Sequence, residues 1–202
     1  MGLLHYFLGL QVHQTEEGIF LSQRKYARDL LNKFGMLNCK HAATPMNISE
    51  KLQQVNEEEL TDARRFRILI YLTHTRPDIA YHVGVISRFM QQPSKVHYGA
   101  AKRVLRYIAG TLDFDIWYSK TDNFRLCGYT DSDWASSLDD KRSVSANVFT
   151  LGSAKEEILL EYCSTQEQLA DVLTKALSKE KFCYFRGFFG VCTFESRGNV
   201  KE

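Results

Sequence analysis

Between Lys95 and Ala109, the apolar residues Val96, Ala100, Val104 and Ile108 fall every four positions, and Gly110 ends the run. Residues four apart stack on one side of an α-helix, so this spacing predicts an amphipathic helix over 95–109 with one side to bury. Lys102, Arg103 and Arg106 lie away from that stripe. Two more helices are predicted before it, over 63–73 and over 77–90, the second opening with Pro77 at its first position. An apolar helix side needs partners, and the flanking sequence supplies them as strands.

Residues 6–12 and 19–21 are apolar segments around the polar turn Thr15-Glu16-Glu17-Gly18, which reads as a β-hairpin. A helix follows, with Ser22 as N-cap, Tyr26, Leu30, Leu31 and Phe34 at helical spacing, and Gly35 as the stop. Downstream, 114–118, 126–130, 144–151 and 158–162 read as strands, and 166–177 and 179–189 as closing helices. The expected fold class is therefore α+β, with a hairpin and helical part over 1–112 and strands followed by helices over 113–202. At about 90 residues the second region is too short for a full α/β nuclease with both sheet faces covered.

The 202 residues are 44% hydrophobic and 25% charged, which excludes a chain disordered throughout. The apolar runs fall far short of the ~20 residues that a membrane helix needs. The start, Met1-Gly2-Leu3-Leu4-His5-Tyr6, has neither the charged region nor the cleavage site of a signal peptide, so an intracellular protein, cytoplasmic or nuclear, is expected. Cys39, Cys127, Cys163, Cys183 and Cys192 are scattered and contain no C-x-x-C pair, which points to free thiols rather than disulfides or zinc. His5, His13, His41, His74, His82 and His97 show no ligand spacing. The net charge of +2 hides an asymmetry. Arg64, Arg65, Arg67, Arg76, Arg88, Lys95, Lys102, Arg103 and Arg106 face Asp78 alone, whereas Glu50, Glu57, Glu58, Glu59 and Asp62 just before them read as an acidic linker.

Longer motifs carry a resemblance. Leu4-His5-Tyr6-Phe7-Leu8-Gly9-Leu10-Gln11-Val12 and Gly18-Ile19-Phe20-Leu21-Ser22-Gln23-Arg24-Lys25-Tyr26 resemble the segment that follows the polymerase active site in Ty1/copia-type retrotransposon Pol polyproteins. Thr75-Arg76-Pro77-Asp78-Ile79-Ala80-Tyr81 and His97-Tyr98-Gly99-Ala100-Ala101-Lys102-Arg103-Val104-Leu105-Arg106-Tyr107 are similar to the reverse transcriptase thumb and connection of that family. Tyr129-Thr130-Asp131-Ser132-Asp133-Trp134-Ala135 resembles the start of its ribonuclease H domain. Glu161-Tyr162-Cys163-Ser164-Thr165 and Gln168-Leu169-Ala170-Asp171-Val172-Leu173-Thr174-Lys175 resemble its end. The resemblance covers almost the whole chain in order. It implies a reverse transcriptase C-terminal part over 1–112 and a truncated ribonuclease H-like mixed sheet with C-terminal helices over 113–202.

The departures bear on function. The family's Tyr-x-Asp-Asp polymerase strand is absent from this sequence, and about a helical turn is lost near Arg67-Ile68-Leu69-Ile70-Tyr71. Ribonuclease H chemistry uses two divalent ions held by four carboxylates. By motif Asp131 matches the first and Asp171 the last, while an internal deletion near 154/155 removes the other two. The resemblance thus implies Mg²⁺ in intact members and no cofactor here, with at most weak metal binding by Asp131 and Asp171. Asp131 and Asp133 can instead be ordinary turn carboxylates, and Asp171 a surface position. Glu156 and Glu157 are the candidate substitutes. With its fourth strand gone, 126–130 has an open edge, which 158–162 either covers or leaves bare, making this half marginally stable.

The expected function is that of an inactive Pol fragment with weak, sequence-nonspecific nucleic-acid binding through Arg88, Lys95, Lys102, Arg103 and Arg106. The alternatives are an active nuclease cleaving RNA–DNA hybrids and a non-enzymatic binding module retained by its host. Arg103-Val104-Leu105-Arg106 also fits the Arg-x-Leu-Arg string of secreted effectors, but it lies inside a predicted helix with no signal peptide ahead of it. No small-molecule substrate and no membrane partner are expected.

Overall fold

The computed structural model describes residues 3–54, 64–120, 126–133, 139, 143–151 and 162–194. Strand β1 (Tyr6–Phe7) turns through Leu8 and Gly9 into β2 (Leu10–Gln14), which pairs antiparallel with β3 (Gly18–Ser22). The turn between β2 and β3 is locked by the Thr15 hydroxyl, which accepts the N–H groups of Glu17 and Gly18 at 3.2 Å each. Along β3, Gly18, Phe20 and Ser22 face inward, the period of two that a half-buried strand shows.

Helix α1 (Arg24–Lys33) buries Ala27, Leu30 and Leu31 and is followed by Gly35 at a φ of +63°, the left-handed stop that glycine favours. The cap at its start falls on Gln23 rather than Ser22. The Ser22 hydroxyl is turned away to donate to Asp115 at 2.7 Å, although it still accepts the Arg24 N–H at 3.1 Å. Helices α2 (Arg64–Leu72), α3 (Ala80–Ser87) and α4 (Lys95–Ala109) follow. The α4 stripe is buried at Ala100, Val104 and Ile108, but Val96 is half exposed at 49%. These helices enclose one apolar core around Leu31, Leu72, Ile86, Val104, Leu105 and Ile108. Phe182 and Phe185 of helix α5 (Lys179–Phe188) complete it.

Two expected helices are different. The single helix over 77–90 is a short 3₁₀ turn, Pro77–Ile79, followed by α3, because Arg76 and Asp78 grip each other across that turn. The helix over 166–177 is reduced to a 3₁₀ stretch, Leu169–Leu173. Gln168 and Thr174 bond their side chains to nearby backbone there, Gln168 accepting the Ala170 N–H and Thr174 donating to the Asp171 carbonyl, which competes with the helical ladder.

The strand pairing also departs from the expectation. Strand β4 (Phe114–Ser119), placed by sequence with the second region, pairs antiparallel with β3, Trp117 opposite Phe20 and Ser119 opposite Gly18. A Cβ at Gly18 would come within 2.3 Å of the Tyr118 carbonyl oxygen, so this approach needs glycine. Strand β7 (Val191–Thr193) then pairs with β4, completing a sheet in the order β1-β2-β3-β4-β7. Strands β5 (Leu126–Asp133) and β6 (Val144–Leu151) form a separate antiparallel ribbon. Among the described residues both sheets are antiparallel throughout, and β4 is not part of the β5–β6 ribbon. The reason is that 114–119 has joined the N-terminal hairpin. The expected strand over 158–162 lies outside the described residues except for Tyr162, which is 92% exposed and outside any strand.

The fold is thus α+β. Its five cysteines are half-buried and in no disulfide. Among the described residues no helix is long and apolar enough to cross a membrane.

Candidate functional site

Strand β5 carries Asp131, and the 3₁₀ stretch Leu169–Leu173 brings Asp171 beside it. The docking is specific: Gln168 donates to the Thr130 carbonyl at 3.0 Å, and the Thr174 hydroxyl donates to Asp131 Oδ2 at 2.5 Å. Lys175 Nζ stands 2.8 Å from Asp171 Oδ1 and 3.6 Å from Asp131 Oδ2. Lys181 Nζ, reaching in from α5, lies 2.6 Å from Asp171 Oδ2 and also bonds the Thr165 carbonyl. The Asp171 side chain is only 1% exposed, whereas that of Asp131 is 20% exposed.

The electrostatics follow from this arrangement. Burial pushes the Asp131 carboxyl up, but the Thr174 hydrogen bond and the Lys175 charge outweigh it and leave the group below its ordinary value. For Lys175, burial lowers the ammonium, but the Asp171 hydrogen bond and charge, with Asp131 and Asp133, raise it overall. Asp131 and Asp171, far apart in sequence, both lie beside Lys175. What the sequence reading missed is the pair of lysines around them. The Lys175 position, four after Asp171, was a legible signal, since residues so spaced meet on a helical turn.

A divalent ion does not fit these residues as they stand. Mg²⁺ demands oxygen ligands at about 2.0–2.1 Å in near-octahedral geometry. Here both Asp171 oxygens face ammonium groups, and two carboxylates are already balanced by two lysines. Among the described residues no group of three or more His, Cys, Asp or Glu side chains is placed to hold a metal. Glu156 and Glu157, the candidate substitutes, lie outside the described residues.

The basic stretch separates into distinct parts. Arg76 is 3% exposed, and all five of its N–H groups are used. It holds Asp78 through two bonds at 3.0 and 2.9 Å, the Thr111 carbonyl at 2.9 Å, the Thr111 hydroxyl at 2.8 Å and the Phe114 carbonyl at 3.3 Å. Tyr107 donates its hydroxyl to Asp78 at 2.5 Å, and Arg186 of α5 donates to that hydroxyl at 3.1 Å. Burial works against the Asp78 carboxylate, but Arg76 and Tyr107 hold it below its ordinary value. Asp115 makes a neighbouring knot, accepting from Ser22, Thr75 and the Gln23 N–H. Arg76 therefore fastens the fold and is not available to a phosphate.

Of the predicted binding residues, Lys95, Lys102 and Arg106 fall on one face of α4, seven and then four residues apart. Lys95 and Arg106 are exposed, and Lys102 is half-buried with its Nζ 4.3 Å above the Tyr98 ring. Gly99 lies between them in this row, and a Cβ there would meet open space. Arg103 turns aside to donate to the Thr44 hydroxyl at 3.2 Å. Arg88, exposed at the end of α3, lines a shallow cavity of about 300 Å³ with Tyr81, Val144 and Leu173. It thus faces the β5–β6 ribbon instead of joining the α4 row.

Comparison with known proteins places these features in context. The chain is 37% identical over 190 residues to a retrovirus-related Pol polyprotein from transposon RE2 of Arabidopsis thaliana, covering 89% of this chain and 13% of that protein. An uncharacterized mitochondrial protein of Arabidopsis thaliana is 36% identical over 187 residues, covering 87% of this chain and 78% of its own length. The Pol polyprotein from transposon TNT 1-94 of Nicotiana tabacum is 32% identical over 178 residues, covering 81% of this chain and 13% of that protein. The chain spans only this small part of the Pol polyproteins it matches. No protein-family model matches it, and no solved structure does.

Proposed function

We propose that this chain, which belongs to the copia-type family of retrovirus-related Pol proteins of transposons, holds nucleic acid without cutting it. The observation that carries the reading is the row of Lys95, Lys102 and Arg106 along the outer side of α4, with Gly99 in its middle. Cations spaced along one rigid helix can neutralise successive phosphates of a duplex and read no sequence in doing so. The open backbone at Gly99 leaves room for a phosphate to approach between the side chains. Arg103 and Arg88 contribute less in this reading, since one is engaged with Thr44 and the other faces the ribbon.

The β5–β6 ribbon with Asp131 is in this reading the remnant of a ribonuclease H sheet, and Asp171 the remnant of its last ligand. Hybrid cleavage needs two ions and more carboxylates than this pair offers. The protein accordingly works without a metal cofactor and inside the cell, in cytoplasm or nucleus.

The test is binding of a labelled duplex to the purified full chain across a salt series. Three phosphate contacts predict that the logarithm of affinity falls against the logarithm of salt with a slope of about −3. Affinity should be indifferent to base sequence, and the triple charge reversal Lys95→Glu, Lys102→Glu, Arg106→Glu should abolish it. No binding at low salt, or binding insensitive to salt, sinks the reading. Incubation with an RNA–DNA hybrid in Mg²⁺ or Mn²⁺ checks the other half, and cleavage lost in Asp131→Asn would show a working nuclease.

A further inference from the structure

We infer that Lys175 is the resident counterion of the Asp131–Asp171 pair, an ammonium seated between carboxylates in place of a metal and fastening the Leu169–Leu173 stretch to β5. The inference rests on the reading of these two aspartates as remnants of a ligand set, and it concerns what now occupies the space between them.

Three observations carry it. Lys175 Nζ lies within 2.8 Å of Asp171 Oδ1 and 3.6 Å of Asp131 Oδ2, so one cation bridges two chain segments. The second Asp171 oxygen is taken separately by Lys181 at 2.6 Å, leaving a carboxylate that is only 1% exposed neutralised on both sides. Burying a carboxylate without a partner is strongly unfavourable, and each Asp171 oxygen has an ammonium beside it. Finally, Thr174 donates to Asp131 from the residue next to Lys175, and the Lys175 N–H donates to the Asp171 carbonyl at 3.0 Å. The lysine is therefore anchored by its own backbone in the turn that it neutralises.

The charges then decide what the pair can accept. With both lysines in place, two negative charges meet two positive ones, and an arriving divalent ion gains little attraction while facing an ammonium a few ångströms away. Without the Lys175 ammonium, Asp131 Oδ2, Asp171 Oδ1 and the Thr174 hydroxyl are three oxygens around one gap, of the hard type that Mn²⁺ takes. The lysine thus supplies permanently the cross-link that a bound ion would supply conditionally.

The experiment uses the purified full chain, with free Mn²⁺ followed by electron paramagnetic resonance and melting followed by circular dichroism. Controls are matched in ionic strength with NaCl. Wild type should take up no saturable Mn²⁺, and its melting temperature should not move. Lys175→Met should melt lower without metal, then bind Mn²⁺ and recover a few degrees on adding it. Lys175→Arg, which keeps a cation, should not bind the ion. Saturable uptake of Mn²⁺ by wild type, lost in Asp131→Asn, overturns the inference, as does failure of a folded Lys175→Met to bind any. Should Lys175→Met not fold, the wild-type titration decides alone, uptake at the pair refuting the inference and none supporting it. Mn²⁺ uptake by wild type without hybrid cleavage would defeat this inference while leaving the non-cutting reading intact.

Discussion

His82, 2% exposed in α3, should make the stability of this protein fall steeply in mild acid. Its ring meets Tyr81 and Phe182 edge-on at centroid distances of 5.2 and 6.1 Å, and its Nδ1 is buried with no hydrogen-bond partner among the described residues. Burial is the main reason that its pKa is lowered to about 4; Asp78 pulls the other way and Arg103 adds to the lowering. The sign follows from linkage. Between about 6.5 and 4 the unfolded chain binds a proton that the folded chain refuses, so stability is present at neutral pH and is lost as pH falls through that window. At about 1.4 kcal/mol per pH unit, the window is worth about 3 kcal/mol, a large share of the roughly 5–15 kcal/mol that holds an ordinary domain. Asp78 stays ionised through the window because its own value is held low, so it does not blur the effect. The assay is urea denaturation at a series of pH values from neutral to about 4, on wild type and on His82→Leu. Subtracting the two curves cancels the carboxylates that both chains share. The difference should open by about 3 kcal/mol towards acid, the wild type losing more. A flat difference curve, or a His82 ring that titrates by NMR near 6.5, would refute the reasoning.

Two further outcomes follow from the interior. Asp78→Ala leaves Arg76 and Tyr107 buried without their partner and should destabilise by about 3–5 kcal/mol in urea denaturation, while the apolar double variant Arg76→Met, Asp78→Leu should lose less. Equal losses would mean that the single variant suffers from a cavity and not from an orphaned charge. Gly190 has a φ of +70°, and a Cβ there would lie 2.5 Å from the Trp117 carbonyl oxygen. Gly190→Ala should therefore weaken the fold by more than about 1 kcal/mol, whereas an unchanged denaturation midpoint would show that β7 contributes nothing.

Where local spacing decided the structure, the sequence was readable. The Thr15–Gly18 turn, the Gly35 stop and the α4 stripe from Ala100 to Ile108 each follow from residues within a few positions of one another, and each stands as expected. Legibility failed where distant side chains competed with local preference. Thr174 and Gln168 have ordinary helical neighbours, but their bonds to Asp131 and Thr130 on β5 hold the Leu169–Leu173 stretch in a shorter form. Likewise, nothing near Phe114 announces that its strand will seek β3, nearly a hundred residues back, in preference to β5 next door. Charge counting erred in the same way. Arg76 counts as one more cation of the basic stretch, but Asp78, Thr111 and Phe114 claim every donor it has.

The order of the N-terminal sheet sets a timetable for synthesis. Strand β3 is made early, β4 about ninety residues later and β7 last, yet β4 must sit between the other two. At about 5–20 residues per second, β3 waits roughly 5 to 20 s for its neighbour, and all that time Ile19 and Leu21 lie on an unprotected strand edge. Folding of this sheet is therefore dominated by contacts of long sequence separation and slow for the size of the chain. A nascent chain halted before Val191 would carry a complete hairpin and a complete helical core but an unfinished sheet.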